Sequence, residues 1–260
     1  MTAAAPKDAR PLLLRMEGVD KTFAGQVVAL KGMSLDVRQG DFISLLGPSG
    51  CGKSTALRLI SDLLHPTAGR IAWEGRHDHG DLGVVFQEPT LMPWATVAQN
   101  VWLPFRLQGR SYNAVKDEIL EALKLVGLEN FQNAYPRELS GGMKMRVSIA
   151  RAMVTRPRLI LMDEPFAALD EITRFKLNND LLELKEKIGC TVIFVTHSVF
   201  ESVFLSDRIV VMAARPGRVI RELSVDAPYP RDDVFRTSAD YAAHTREATD
   251  ALHAAMGEAA

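Results

Sequence analysis

No stretch of this chain approaches the 18 or more consecutive apolar residues that a membrane-spanning helix needs. Its longest apolar runs are strand-sized, such as Thr191 to Val195. Any link to a membrane is therefore expected to come through a partner. Leu12 to Leu14 is the apolar stretch within Met1 to Arg15 and is far too short for a secretory segment, so no export is predicted. Charge of one sign is just as scarce. Lys and Arg number 31 against 32 Asp and Glu, a formal net charge of −1, and no basic block stands apart from acidic neighbours. Nucleic acid is accordingly not an expected partner. Cysteine appears twice, at Cys51 and Cys190, with no C-x-x-C or histidine cluster around either, which fits a reducing compartment and excludes a cysteine metal site. What is plentiful is core: 47% of the 260 residues are apolar, enough for a globular protein.

One loop carries chemistry at first sight. Gly47-Pro48-Ser49-Gly50-Cys51-Gly52-Lys53-Ser54-Thr55 fits G-x-x-x-x-G-K-[ST], directly after the apolar run Phe42 to Leu46 and directly before the helical pattern Thr55 to Leu64. A buried strand that delivers glycine-rich backbone to a helix N-terminus offers N–H groups and a favourable dipole to anionic phosphate. The context predicts binding of a nucleoside triphosphate. Cys51 needs only its backbone N–H at that place.

Around the loop, residues 12 to 46 and 69 to 86 read as short strands broken by Gly25, Gly32, Gly40, Gly69, Gly75 and Gly80, with alternation at Met33, Leu35 and Val37. They predict a small antiparallel layer. Val115, Ile119, Ala122, Leu123 and Val126 mark an amphipathic helix ended by Gly127, and a further helix is expected from Ser140 to about Thr155. Leu159 to Met162 is a buried strand. A helix striped by Leu177, Leu181, Leu184 and Ile188 and closed by Gly189 leads to a second strand, Thr191 to Val195. Strand, helix, strand in that order predicts a parallel sheet with right-handed crossovers. The fold class is thus α/β: a P-loop NTPase core with a parallel sheet, an antiparallel β-subdomain and a helical subdomain inserted at about residues 89–156. The nucleotide-binding domain is expected over 12–226, and residues 227–260 as a helical tail lying on the surface with frayed ends.

Leu159-Ile160-Leu161-Met162-Asp163-Glu164 ends a buried strand in two carboxylates. Asp163 is placed to hold Mg²⁺ together with the Ser54 hydroxyl, and Glu164 to face the attacking water.

Leu139-Ser140-Gly141-Gly142-Met143 then resembles the signature loop of the ATP-binding cassette (ABC) family. The family's order is followed along nearly the whole chain, through Phe23, the phosphate loop, Gln87, the signature, Asp163-Glu164, Asp170 and His197. The resemblance implies ATP and Mg²⁺ as ligands. Backbone from Gly50 to Thr55 would cradle the phosphates, with Lys53 on the β and γ oxygens. Gln87 would reach the metal and the lytic water, and His197 would bond the γ-phosphate and orient that water beside Glu164. Phe23 would stack on adenine, although an aromatic in a strand also reads as core. Ser140, Gly141 and Gly142 would close onto the ATP of a second copy in a head-to-tail pair, with Asp170 at the seam. Met143 stands where the family most often has glutamine, which touches fine tuning rather than the phosphate contacts.

Two stretches, Val85 to Val97 and Ser206 to Met212 with Arg215-Pro216-Gly217-Arg218 beyond, resemble the nitrate/sulfonate/taurine class of bacterial import ATPases. That resemblance implies an ATPase on the cytoplasmic face of the inner membrane, bound to integral permease subunits and served indirectly by a solute-binding protein. Trp94 and its neighbours would line a groove for the permease, or else simply pack the helical subdomain. A lipid or lipoprotein export ATPase and a soluble ABC ATPase with no membrane partner are the competing functions.

Overall fold

The structure, a computed structural model, describes residues 10–75, 80–227, 229 and 231–257. Most of the N-terminal stretch read for export, Pro228, Pro230 and the last three residues of the tail lie outside that set. In chain order the strands and α-helices are β1 (Leu12–Phe23), β2 (Val27–Arg38), β3 (Phe42–Leu46), α1 (Lys53–Ile60), β4 (Ala68–Trp73), β5 (Leu82–Val85), α2 (Val97–Leu107), α3 (Lys116–Leu125), α4 (Gly141–Met153), β6 (Leu159–Asp163), α5 (Glu171–Ile188), β7 (Thr191–Thr196), α6 (Val199–Leu205), β8 (Arg208–Ala213), β9 (Arg218–Ser224), α7 (Asp233–Arg236) and α8 (Ala239–Gly257). They form two compact units, one of residues 1–77 with 191–260 and one of residues 78–190.

In the first unit β3 is flanked by β7 and β8, both parallel to it. All five residues of β3 and all six of β7 are buried, which is why these strands read as continuous apolar runs without alternation. The sheet is mixed rather than purely parallel, because β9 returns antiparallel to β8. Only residues 214–217 connect the two, too few for the crossover that a parallel return would need.

Beside it lies an antiparallel sheet of order β2-β1-β4. Gly25 and Gly40 separate strands as expected, whereas Gly32 and Gly69 lie inside them, and β1 and β2 at twelve residues each are longer than expected. β2 runs through Gly32, which adopts φ +60 at a bulge where the register with β1 shifts. Asp20 fixes that bulge by accepting from Gly32 N at 2.6 Å and pairing with Lys31 Nζ at 2.5 Å. Met33, Leu35 and Val37 do face the core at 0–4% exposure. The stretch 69–86 divides: β4 joins this sheet, whereas β5 belongs to the second unit and runs parallel to β6.

The second unit carries α2 to α5. Thr96 and Gln99 form a reciprocal capping box at the start of α2, and Gly189 closes α5 in the left-handed conformation at φ +70. Ser140 caps α4 and Asp170 caps α5, each through its side-chain oxygen.

Over its described residues the tail forms a helix on the surface whose inner face is docked and whose helical turns continue to Gly257. One face of α8 presents Ala248, Ala251 and Ala255, all nearly or fully buried, and the helix packs on β8 and α6. Alanine carries little hydrophobic signal in sequence, yet its small side chain lets a helix approach a sheet closely.

Candidate nucleotide-binding and catalytic groups

Within the first unit the phosphate loop leaves β3 at Gly47 and enters α1 at Lys53. Its three glycines serve different ends. A Cβ at Gly47 would meet Met212 O at 2.6 Å and Cys51 Sγ at 2.7 Å. Gly50 and Gly52 have φ of +79 and +90, a region that side-chain-bearing residues avoid. Pro48, Ser49, Cys51, Ser54 and Thr55 complete the curve, which ends on a helix N-terminus where the dipole favours phosphate. Lys53 is 5% exposed, and its Nζ donates to Gly47 O at 2.7 Å and Pro48 O at 3.0 Å, which holds the ammonium inside the loop. The Cys51 thiol is fully buried, and burial pushes its pKa up against the opposing pull of Lys53, so it packs as a neutral group.

The loop also has a brace that the motif alone does not show. A Cβ at Gly52 would meet Leu30 Cδ2 at 2.6 Å and Ala29 O at 2.7 Å, and one at Gly217 would meet Cys51 O at 2.3 Å and Ala29 O at 2.5 Å. Gly217 N donates to Ala29 O at 3.2 Å, and Lys31 N donates to Gly217 O at 2.8 Å. Three segments distant in sequence thus meet under the loop, at contacts where only glycine fits.

His197 follows β7, whose Thr196 is the register partner of Leu46 in β3. Gly47 and His197 therefore leave the same sheet edge side by side. Phe23 ends β1 at 39% exposure, beside exposed Val27 and Val28, with Lys21 Nζ 5.4 Å from its ring centre. It is a surface ring rather than a core one.

Within the second unit Val85 of β5 is the register partner of Met162 in β6. Gln87 and the Asp163-Glu164 pair consequently lie at one strand edge. Glu164 holds φ +46, unusual for a residue with a side chain and costly enough to be found mainly where function requires it. The signature and Asp170 are brought together by close packing: a Cβ at Gly142 would meet Thr173 Cγ2 at 2.8 Å, and one at Gly141 would lie 3.4 Å from Leu169 Cδ2. Ser140 Oγ accepts from Met143 N at 3.3 Å, and Asp170 accepts from Thr173 N at 3.0 Å. That backbone bond holds the Asp170 carboxyl below its ordinary pKa. Its capping contribution is present above the usual carboxylate range and fades as acid protonates it.

A groove of about 950 Å³ opens in the same unit, lined by Leu82, Val84, Phe86, Leu103, Pro104 and Leu107 among others. Trp94 does not line it and is 76% exposed. Among the described residues no group of three or more His, Cys, Asp or Glu is placed to hold a metal by itself, and no helix is long and apolar enough to cross a membrane.

Comparison with known proteins settles the family. The family model described as ABC transporter matches residues 30–167. The chain belongs to the ABC transporter family. It is an ATPase of that family, and a structural neighbour is a cassette caught after hydrolysis with ADP and Pi. The nitrate import ATP-binding protein NrtD of Synechocystis is 44% identical, over 83% of this chain and 83% of its own length. The aliphatic sulfonates import ATP-binding protein SsuB of Bacillus cereus is 40% identical, over 85% and 89%. Among solved structures, the ATP-binding cassette MJ0796, a dimer in a post-hydrolysis state with ADP and Pi, superposes with a TM-score of 0.72 at 35% identity, over 83% of this chain and all of that one.

Proposed function

We propose that this cassette is the ATP-hydrolysing subunit of an importer for a small solute of the nitrate, sulfonate or taurine kind. It works on the cytoplasmic face of the membrane through separate permease subunits. The observation that carries this is the 40–44% identity, over more than four-fifths of the chain, to two ATP-binding proteins named for the import of such anions. The apolar groove of the second unit supports it, since its row of Leu82, Val84, Leu103 and Leu107 suits the apolar face of a short permease helix.

In this proposal Gly47 to Thr55 hold the ATP phosphates, with Lys53 as the fixed counter-charge and Phe23 as the adenine platform. Ser54, Asp163 and Gln87 are the metal-side groups. One hydroxyl, one carboxylate and one amide, added to phosphate oxygens, are the hard oxygen donors that suit Mg²⁺, which neutralises charge on the β and γ oxygens when bound. Glu164 takes the proton of the attacking water, and His197 bonds the γ-phosphate. Two copies close head to tail, so that Ser140, Gly141 and Gly142 of each copy meet the nucleotide of the other and Asp170 lies at the seam. The dimeric MJ0796 cassette supports that pairing. Closure is the motion passed to the permease, and hydrolysis resets the pair.

Replacing the chromosomal copy in its native host by Glu164→Gln is expected to abolish accumulation of one labelled solute among nitrate, taurine and alkanesulfonates. Undiminished uptake of all three would sink the assignment to this substrate class.

A further inference from the structure

Helix α6 begins two residues after His197, with Ser198 as its N-cap, and at only seven residues it has little intrinsic stability of its own. Its N-terminal end is tied tightly to the histidine's neighbours. Thr196 Oγ1 donates to the buried Glu201 Oε2 at 2.5 Å, Ser198 N donates to Thr196 Oγ1 at 3.0 Å, and Glu201 N donates to Ser198 Oγ at 3.3 Å. His197 thus sits between two residues whose backbone and side chains are locked to the first turn of α6. Whatever fixes α6 also fixes the backbone that carries His197.

The C-terminal end of α6 is held by the tail, which also reaches Phe200 in the first turn of the helix. Arg231, 4% exposed, donates from Nη1 to Val203 O at 3.2 Å, Phe204 O at 3.0 Å and Ser206 O at 2.8 Å. Its Nη2 donates to Val225 O and Ala227 O, both at 3.3 Å. Tyr229 donates to Leu205 O at 3.2 Å, and Tyr241 to Phe200 O at 3.0 Å. The carbonyls at a helix C-terminus have no partner within the helix. Here those of Val203, Phe204 and Leu205 are all served by tail side chains. Rings complete the grip: Phe235 lies 6.4 Å from Phe204 and 5.3 Å from Tyr241, and the Arg236 guanidinium stacks 3.6 Å above Phe204. A buried guanidinium with five carbonyl acceptors is costly to install, and burial lowers its pKa from the ordinary value. Such a group orders backbone more than it adds net stability.

We propose that Tyr229, Arg231 and Tyr241 of the C-terminal tail clamp α6 and thereby hold His197 toward the γ-phosphate, with Arg231 as the main positioning residue. The clamp gives the tail a part in hydrolysis without touching nucleotide. It rests on the role of His197 given above, and one experiment separates the two. Steady-state ATP hydrolysis is measured for the full-length wild type, His197→Ala, Arg231→Met and the double variant, with melting curves to establish that each is folded. His197→Ala is expected to lower kcat about 100-fold. Arg231→Met is expected to lower kcat about tenfold while KM for ATP moves less than about threefold, because displacement of a positioned group by a fraction of an ångström costs turnover before binding. The double variant is expected to be no slower than His197→Ala alone, since nothing remains to be positioned.

Wild-type kcat in Arg231→Met beside a slow His197→Ala would overturn the clamp alone, as would multiplicative losses in the double variant. Wild-type kcat in His197→Ala would overturn the role of the histidine and the clamp with it. If Arg231→Met does not fold, Tyr241→Phe keeps the ring and removes one bond to Phe200 O. It is expected to lower kcat about two- to tenfold in wild type and not at all in the His197→Ala background. An equal loss in both backgrounds would overturn the clamp.

Discussion

Glu164→Gln is expected to bind ATP with near wild-type affinity, to form an ATP-dependent dimer, and to hydrolyse ATP about 10²–10⁴-fold more slowly. The amide keeps the size and hydrogen-bonding reach of the carboxylate but cannot accept the proton of water. Because the backbone at this residue is held at φ +46 by its place at the end of β6, the substitution leaves the local conformation and its cost unchanged. Only the chemistry is removed. Single-turnover hydrolysis on the purified chain, with sedimentation in the presence of ATP and Mg²⁺, reads both halves. Wild-type turnover would mean that another group is the base.

The second large effect belongs to Lys53. Lys53→Met keeps the length of the side chain and its place inside the loop but removes the ammonium bonded to Gly47 O and Pro48 O. A charge-assisted bond from that ammonium to a phosphate oxygen contributes about 1.5–3 kcal/mol, so the dissociation constant for ATP is expected to rise about 10- to 100-fold. The loop itself should persist, because Gly47, Gly50 and Gly52 are fixed by close contacts and backbone angles rather than by the lysine. Titration with a fluorescent ATP analogue measures the affinity, and a melting curve establishes that the variant is folded. An unchanged affinity would show that the phosphates are held by backbone alone.

Much of this was legible in the sequence because the signals are local. The run Phe42 to Leu46, the glycines of the loop, the stripe ended by Gly189 and the strand carrying Asp163 each occupy one short window whose pattern follows from burial on one or both faces. The features that escaped are long-range. Nothing near Gly217 announces that it lies against Cys51 and Ala29, and nothing in Arg231 shows that it will cap a helix more than twenty residues earlier. Gly32 was read as a break because a glycine in a strand weakens it, whereas Asp20 and Lys31 across the bulge keep β2 continuous. The docked face of α8 carries no strong sequence signal because burying an alanine gains little per residue. The short connection after β8 decided the antiparallel return of β9, a matter of chain length rather than of residue type.

For the site, motif order named the residues, and the structure adds their local settings. Gly47 and His197 follow the paired strands β3 and β7, and Gln87 and the Asp163-Glu164 pair stand at the ends of the paired strands β5 and β6. Gly142 packs against Thr173, whose backbone N–H is capped by Asp170, and Gly141 packs against Leu169. Trp94 itself is 76% exposed and does not line the apolar groove of the second unit, whereas Phe86 and Thr90 of the same stretch do.

The most direct measurement is to recover tagged Glu164→Gln, with ATP and Mg²⁺, from detergent-solubilised membranes of its native host and to identify the chains bound in stoichiometric amount. A membrane-spanning permease subunit, held with ATP and released without it, whose genetic neighbour is a solute-binding protein, is the expected result. A dimer of this chain alone, with no membrane subunit under either condition, would contradict an ATPase that powers import.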